Sequence, residues 1–257
     1  MRLNTTKQKL ADGATVTGVI INENAPASLE LLGRIGCFDF VMIDCEHGPM
    51  SLFDVENLVR ACEGAGLTPL ARVPDHAPST ILRFLDRGVQ GVIVPHVNTA
   101  EQALAIARAG RYYPEGDRSI GSTRAHDYNV DVSRAESTRF INENVLVIPM
   151  CEHVDAIKNL DAILRVPGID VVHIAANDLA QSMGFPPEAE VRNAMLGAIA
   201  KARAAGIGAG VGGNNPGDAG SVAALVKAGA NFVTISASGL LRLGADTFRA
   251  SYEAALT

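Results

Sequence analysis

Side chains capable of chemistry fall at the ends of short apolar runs in this sequence. Asp44, Glu46 and His47 close one run, Arg72 another, and His96 and Asn98 follow Pro95. Glu152 with His153, and Asn177 with Asp178, close two more. Two carboxylates brought together at such ends, Glu152 and Asp178, repel unless a cation lies between them. A divalent ion held by two carboxylates and several waters keeps open positions for a substrate with adjacent oxygens. The same acids could instead be solvated loop residues or helix N-caps. His47 lies beside Glu46 and near Asp44, so a carboxylate can raise its basicity and suit it to proton transfer. Otherwise it is a loop histidine that caps or packs. Arg72 ends an apolar run and needs an anionic partner. That partner is a substrate carboxylate or enolate, or one of Asp44, Glu46 and Asp75 in a structural ion pair.

The apolar runs that carry these residues span 15–22, 38–46, 68–74, 91–97, 145–152, 171–178, 208–213 and 232–238. Each is near-continuous in apolar and β-branched residues, as strands buried on both faces are. Amphipathic stretches separate them. Ser51 with Asp54 and Thr99 with Gln102 have the spacing of helix capping boxes. Gly64, Gly66, Gly88, Gly110 and Gly206 fall where helices should stop. Residues 189–205 and 218–228 repeat the helical pattern. Eight strands alternating with helices in 257 residues predict a single (β/α)8 barrel, with active-site residues at the C-terminal strand ends. A doubly wound sheet with fewer strands is the alternative. Residues 111–144 form the one long irregular stretch. Such stretches are functional or contain short helices.

Composition excludes several other classes. A net charge of −6 and the absence of any Lys/Arg-rich run argue against nucleic acid. With no Trp and 5% aromatics, a stacking surface is not expected. Cys37, Cys45, Cys62 and Cys151 form no C-x-x-C pair, so buried reduced thiols are expected rather than zinc sites or disulfides. Residues 1–14 are polar, with no signal-like apolar region, and no run is long enough to span a membrane. A cytoplasmic enzyme of small metabolites is therefore expected. The five lysines, Lys7, Lys9, Lys158, Lys201 and Lys227, fall in the leader or on predicted helices. A Schiff-base mechanism lacks its nucleophile. The glycine-rich segment 208–217 could cradle a phosphate, but it lacks the P-loop lysine and the dinucleotide fingerprint. Tight turning after the seventh strand accounts for it as well.

The segment 38–47, Phe-Asp-Phe-Val-Met-Ile-Asp-Cys-Glu-His, resembles the signature of the HpcH/HpaI aldolases, metal-dependent class II pyruvate aldolases. The similarity covers nearly the whole chain. Ala-Arg-Val-Pro at 71–74, Leu85-Asp86, Val94-Pro95, Glu152, Val166-Pro-Gly-Ile-Asp170 and Asn177-Asp178-Leu179 fall in family order. The resemblance implies a barrel of the phosphoenolpyruvate/pyruvate-binding type that cleaves 4-hydroxy-2-oxo acids to pyruvate and an aldehyde. It implies Glu152 and Asp178 as ligands of Mg2+ or Mn2+, with Co2+ and Zn2+ as alternatives. His47 becomes the acid/base group, and Asp86 the residue that raises its basicity. From spacing alone, Asp86 is a surface acid at a helix end. Arg72 becomes the clamp for the 2-oxo acid, with Met150, Ala176, Asn177 and Asp178 lining the substrate. The resemblance also implies a homo-hexamer, a trimer of dimers, with the last helix exchanged between barrels.

The sequence departs from the family pattern at several positions. Met150 stands where the family has Gln, or sometimes Met, and Ala175-Ala176 replace Gly-Pro, placing an extra methyl at Ala175 against the bound 2-oxo acid. His96, His153 and His173 stand where relatives often carry Met, Thr and Phe-like residues. The acid near the end of the eighth strand is missing from 236–239. These departures bear on the identity of donor and aldehyde. Two other readings follow: a phosphate-handling barrel isomerase using 208–217, and a member with another donor or no turnover.

Overall fold

The computed structural model describes residues 1–256. Eight parallel strands run Val16–Ile21 (β1), Phe40–Asp44 (β2), Thr68–Arg72 (β3), Gly91–Val94 (β4), Leu146–Pro149 (β5), Val171–Ala175 (β6), Gly208–Asn214 (β7) and Phe232–Ser236 (β8). Their order is β5-β4-β3-β2-β1-β8-β7-β6. The remaining gap is bridged between Met150 and His173. There the Asp170 N–H donates to Val147 O at 3.1 Å, and Cys151 N–H to His173 O at 2.8 Å. The sheet thus curves round to meet itself as a (β/α)8 barrel, and the doubly wound alternative falls.

The helices are Thr5–Ala11 (α1), Pro26–Ile35 (α2), Leu52–Ala65 (α3), Pro78–Asp86 (α4), Ala100–Ala109 (α5), Arg134–Asn144 (α6), Val154–Lys158 (α7), Leu160–Ile163 (α8), Ala176–Ser182 (α9), Glu188–Ala204 (α10), Ala219–Lys227 (α11) and Ala237–Leu256 (α12). Both capping boxes form, at Ser51–Asp54 and Thr99–Gln102. Gly64 does not end α3. Gly66, in the left-handed region at φ 74°, takes that role. The polar leader folds as α1 across the N-terminal end of the barrel, where the Asn4 amide donates to Gln90 O and Asn144 O.

Strand alternation sorts the core into two layers. Val16, Phe40, Met42, Leu70, Ile93, Leu146, Ile148, Met150, Val171 and Phe232 fill the barrel interior. Val41, Ile43, Ala71, Val92, Val147, Val172 and Val233 face the helices. Inside, Phe40 and Phe232 stack with centroids 4.2 Å apart, although β1 lies between their strands. Gly18 makes this possible, since a Cβ there would lie 2.2 Å from the Phe40 ring.

The stretch 111–144 contains a 3-10 turn, Arg124–Asn129, and α6. It links α5 to the start of β5, at the N-terminal end of the barrel. It is therefore on the opposite side from the C-terminal strand ends. Its interior is polar: Tyr112 Oη lies 2.7 Å from His126 Nε2, and Ser137 Oγ lies 2.9 Å from His126 Nδ1.

Candidate active site

The inward phase of each strand carries a polar residue to the C-terminal mouth. Phe40 and Met42 face inward, so Asp44, two residues on, does too. Leu70 and Arg72 share a phase on β3, and Glu152 continues the phase of Leu146, Ile148 and Met150. Asp44 and Arg72 are direct partners in the β2–β3 register. Arg72 Nε donates to Asp44 Oδ1 at 2.9 Å, and Nη2 to Oδ2 at 2.6 Å. Arg72 Nη1 lies 3.2 Å from Glu46 Oε2. The ion pair foreseen as one alternative therefore forms with Asp44 and Glu46, not with Asp75. A guanidinium carries five N–H donors. These three contacts leave two, on the terminal nitrogens, for a further anion.

The carboxylates at the mouth are poised differently. Burial pushes the Asp44 carboxyl up, but Arg72 and the N–H groups of His47 and Glu46 outweigh it, leaving Asp44 below the ordinary carboxylate range. Glu152 is 3% exposed. Burial pushes its carboxyl up and the His96 N–H and ring pull it down. The negative charges of Asp178 and Glu46 push it up again, and the balance is a raised value. Asp44, Glu46 and Glu152 thus surround one fixed cation, Arg72, and Asp178 adds a further negative charge beside Glu152. That excess of carboxylate is the donor chemistry a hard divalent ion takes. Glu152 and Asp178 could hold such an ion. Among the described residues, no three His, Cys, Asp or Glu side chains already surround a common point. A two-carboxylate site completed by water and substrate oxygens fits that arrangement.

The histidines part company. His47 is exposed in the turn after β2, and its N–H donates to Asp44 Oδ1 at 3.3 Å. His96 joins the site, between Glu46 and Glu152. His153 caps α7, its Nδ1 accepting from the Asp155 N–H at 3.2 Å. His173 lies in the barrel interior, edge-on to Phe232 at 5.9 Å, and burial holds its imidazole down to about 3. Gly210 and Gly212 make room for it, as Cβ atoms there would lie 2.6 and 2.3 Å from its ring nitrogens. These two glycines of the run 208–217 thus serve packing against β6.

Two expected residues take other positions. Asp86, at the end of α4, receives Arg118 Nη2 at 2.9 Å, and the Arg118 side chain is 1% exposed. The end of α4 leads into the start of β4, at the far end of the barrel from His47. The pairing of Asp86 with His47 therefore does not form within one chain. The Ala176 side chain packs on the helix-facing core; it is Ala175 that packs on the interior layer. Met150 is 2% exposed in that layer, one inward position below Glu152. Asn177 is exposed, and Asp178 half-buried, in the first turn of α9. Glu46 and His96 are recruited beyond the expected set. Both were visible as polar strand-end residues, but the backbone turn that aims His96 at Glu152 was not.

A barrel whose interior charges gather at the C-terminal mouth is built as the enzymes of this architecture are. Residues 17–241 match the HpcH/HpaI aldolase/citrate lyase family, and the chain belongs to it. It is 37% identical over 221 residues to a 4-hydroxy-2-oxovalerate aldolase of Rhodococcus jostii, covering 81% of each chain. It is 34% identical over 239 residues to a hydroxypyruvate/pyruvate aldolase of Roseobacter denitrificans, covering 91% of each. The crystal structure of an HpcH/HpaI aldolase/citrate lyase family protein from Burkholderia cenocepacia superposes with a TM-score of 0.87 at 28% identity. That match covers 97% of this chain and 99% of the other.

Proposed function

We propose that this protein is a divalent-metal-dependent aldolase that cleaves 4-hydroxy-2-oxo acids to pyruvate and an aldehyde. The observation that carries the reading is the excess of carboxylate around buried Glu152, beside an arginine with two free N–H donors. The names of the aldolase relatives support the reaction class. Glu152 and Asp178 would hold Mg2+ or Mn2+, with Co2+ or Zn2+ as chemically acceptable substitutes. The bound ion supplies Lewis acidity at the 2-oxo oxygen. Arg72, kept rigid by Asp44 and Glu46, offers its remaining N–H groups to the substrate carboxylate and the developing enolate. His47, on the exposed side of the same turn, moves the proton of the aldol hydroxyl. A His47–Asp86 pair could arise only across a contact between subunits. Met150 forms the floor, and Asn177 lies beside Asp178 at the rim. The inward methyl of Ala175 narrows the donor pocket, which favours a donor as small as pyruvate.

The proposal includes a homo-hexamer, a trimer of dimers, in which α12 is exchanged. No α12 residue is buried, and Leu241, Phe248, Tyr252 and Leu256 are 71, 71, 56 and 70% exposed. An amphipathic helix with this much exposed apolar surface calls for a partner. Among the described residues, no helix is long and apolar enough to cross a membrane. The four cysteines are free, which fits a reducing cytoplasm.

The test is deuterium exchange at the methyl group of pyruvate, followed by NMR with EDTA and then with Mg2+ or Mn2+. Exchange is expected only with metal, and Glu152→Gln should lose it. Exchange undiminished in EDTA, or none with either metal, would overturn the reading.

A further inference from the structure

His173 is a buried polar side chain to which the fold gives no partner. It points into the barrel from β6, edge-on to Phe232, and is 2% exposed. Its Nδ1 is enclosed without a hydrogen bond. Nε2 makes none either among the described residues, yet it is not one of the enclosed atoms. The glycines opposite fix how the ring stands. Nδ1 lies against Gly210, the register partner of His173, and Nε2 against Gly212, the register partner of Ala175. The ring therefore rises from its own layer toward the C-terminal mouth, with Nε2 uppermost. His173 is also bridged to Met150, which lies one inward position below Glu152, and the charge of Arg72 acts on its ring. Nε2 is thus the polar point of the floor beneath Glu152 and Arg72.

A neutral imidazole carries one N–H and one lone pair, and buried polar groups are normally bonded. The floor supplies no partner, so the partner comes from whatever occupies the pocket. A hydroxyl both donates and accepts, so it meets Nε2 in either tautomer; a methyl group meets it in neither. In the site described above, the ion and Arg72 take up the carboxylate and 2-oxo oxygens of the donor. Its C3 is the position left to face the floor. We infer that His173 selects the donor, its Nε2 bonding a hydroxyl on C3, so that a 3-hydroxy-2-oxo acid is preferred to pyruvate. The inference rests on the aldolase reading and deepens it. Cleavage then breaks the C3–C4 bond of a 3,4-dihydroxy-2-oxo acid. The C4 hydroxyl gives up its proton and becomes the aldehyde, the bonding electron pair passes to C3 as the enolate, and protonation there releases 3-hydroxypyruvate. Ala175, on the same interior layer, limits the C3 substituent to a small group.

The test uses the full-length protein loaded with Mg2+ or Mn2+, with pyruvate and 3-hydroxypyruvate as probes. Deuterium exchange at C3 of each is followed by NMR and corrected for the enzyme-free rate, and calorimetry gives the Kd of each. Wild type should favour 3-hydroxypyruvate by at least about tenfold, in Kd and in kcat/KM for exchange. His173→Phe should still exchange pyruvate but lose that preference, the loss falling in KM rather than kcat. Where His173→Phe does not fold, His173→Leu serves the same arm. A wild type without the preference, or a preference unchanged in the variant, would overturn the inference. Nε2 would then serve only an ordered water or the packing, and metal-dependent exchange of pyruvate would leave the aldolase reading standing. No metal-dependent exchange with either probe would overturn that reading, and this inference with it.

Discussion

Replacing His173 with leucine should flatten the acid side of the stability profile by about 2 kcal/mol. The imidazole is 2% exposed, and its value of about 3 reflects burial first and the nearby Arg72 charge second. In the unfolded chain a histidine titrates near 6.5. Below that pH the unfolded state takes up a proton that the folded state refuses. The stability is therefore complete above about pH 6.5 and is lost as the pH falls toward 3. At pH 5 the unfolded state gains about 1.5 pH units of protonation free energy, about 2 kcal/mol, and at pH 7 only about 0.2 kcal/mol. Because His173 is enclosed, solvent screening takes little of this away. The assay is urea unfolding at pH 7 and pH 5, at one protein concentration for wild type and variant. The leucine variant begins from a different stability because the packing against Gly210, Gly212 and Phe232 changes. The quantity that matters is the difference between the two pH values, in which packing cancels. If wild type and variant lose equal stability between pH 7 and pH 5, His173 is not held neutral by the fold.

Two further substitutions test other parts of the molecule. Arg72→Lys keeps a charge beside Asp44 but loses the fork that contacts Asp44 and Glu46 together. Aldol cleavage should fall at least about 100-fold in kcat/KM, and near-wild-type rates would refute the clamp role. The double variant Leu241→Glu with Phe248→Glu places charges on the exposed apolar face of α12. Light scattering should then report an assembly smaller than a hexamer; an unchanged hexamer would remove α12 from the interface.

Much of the site was legible because strand alternation is strict. Once Phe40 and Met42 face inward, Asp44 must as well, and the same parity takes Leu146 through Ile148 and Met150 to Glu152. The apolar runs and capping boxes likewise place the barrel without reference to distant contacts. The role of Arg72 was legible only to the point of alternatives. Choosing among Asp44, Glu46 and Asp75 required the β2–β3 register, a relation between residues 28 positions apart. The glycines of β7 left two readings open because a run of small residues reads alike whether it binds an anion or yields space to a neighbour. Only the position of the His173 ring decides.

What the sequence determined by itself was therefore periodic and local: the number of strands, the inward face of each, and the helix starts. Tertiary structure decided which strand ends meet and which polar groups pair. Asp86 went to Arg118 because the end of α4 lies at the opposite end of the barrel from His47. His96 went to Glu152 because a left-handed turn after β4 points it across to the next strand. The physical reason is the same in both cases. A periodic pattern specifies the face of an element, but ionic and hydrogen-bond partners depend on ångström-scale closure between elements far apart in the chain.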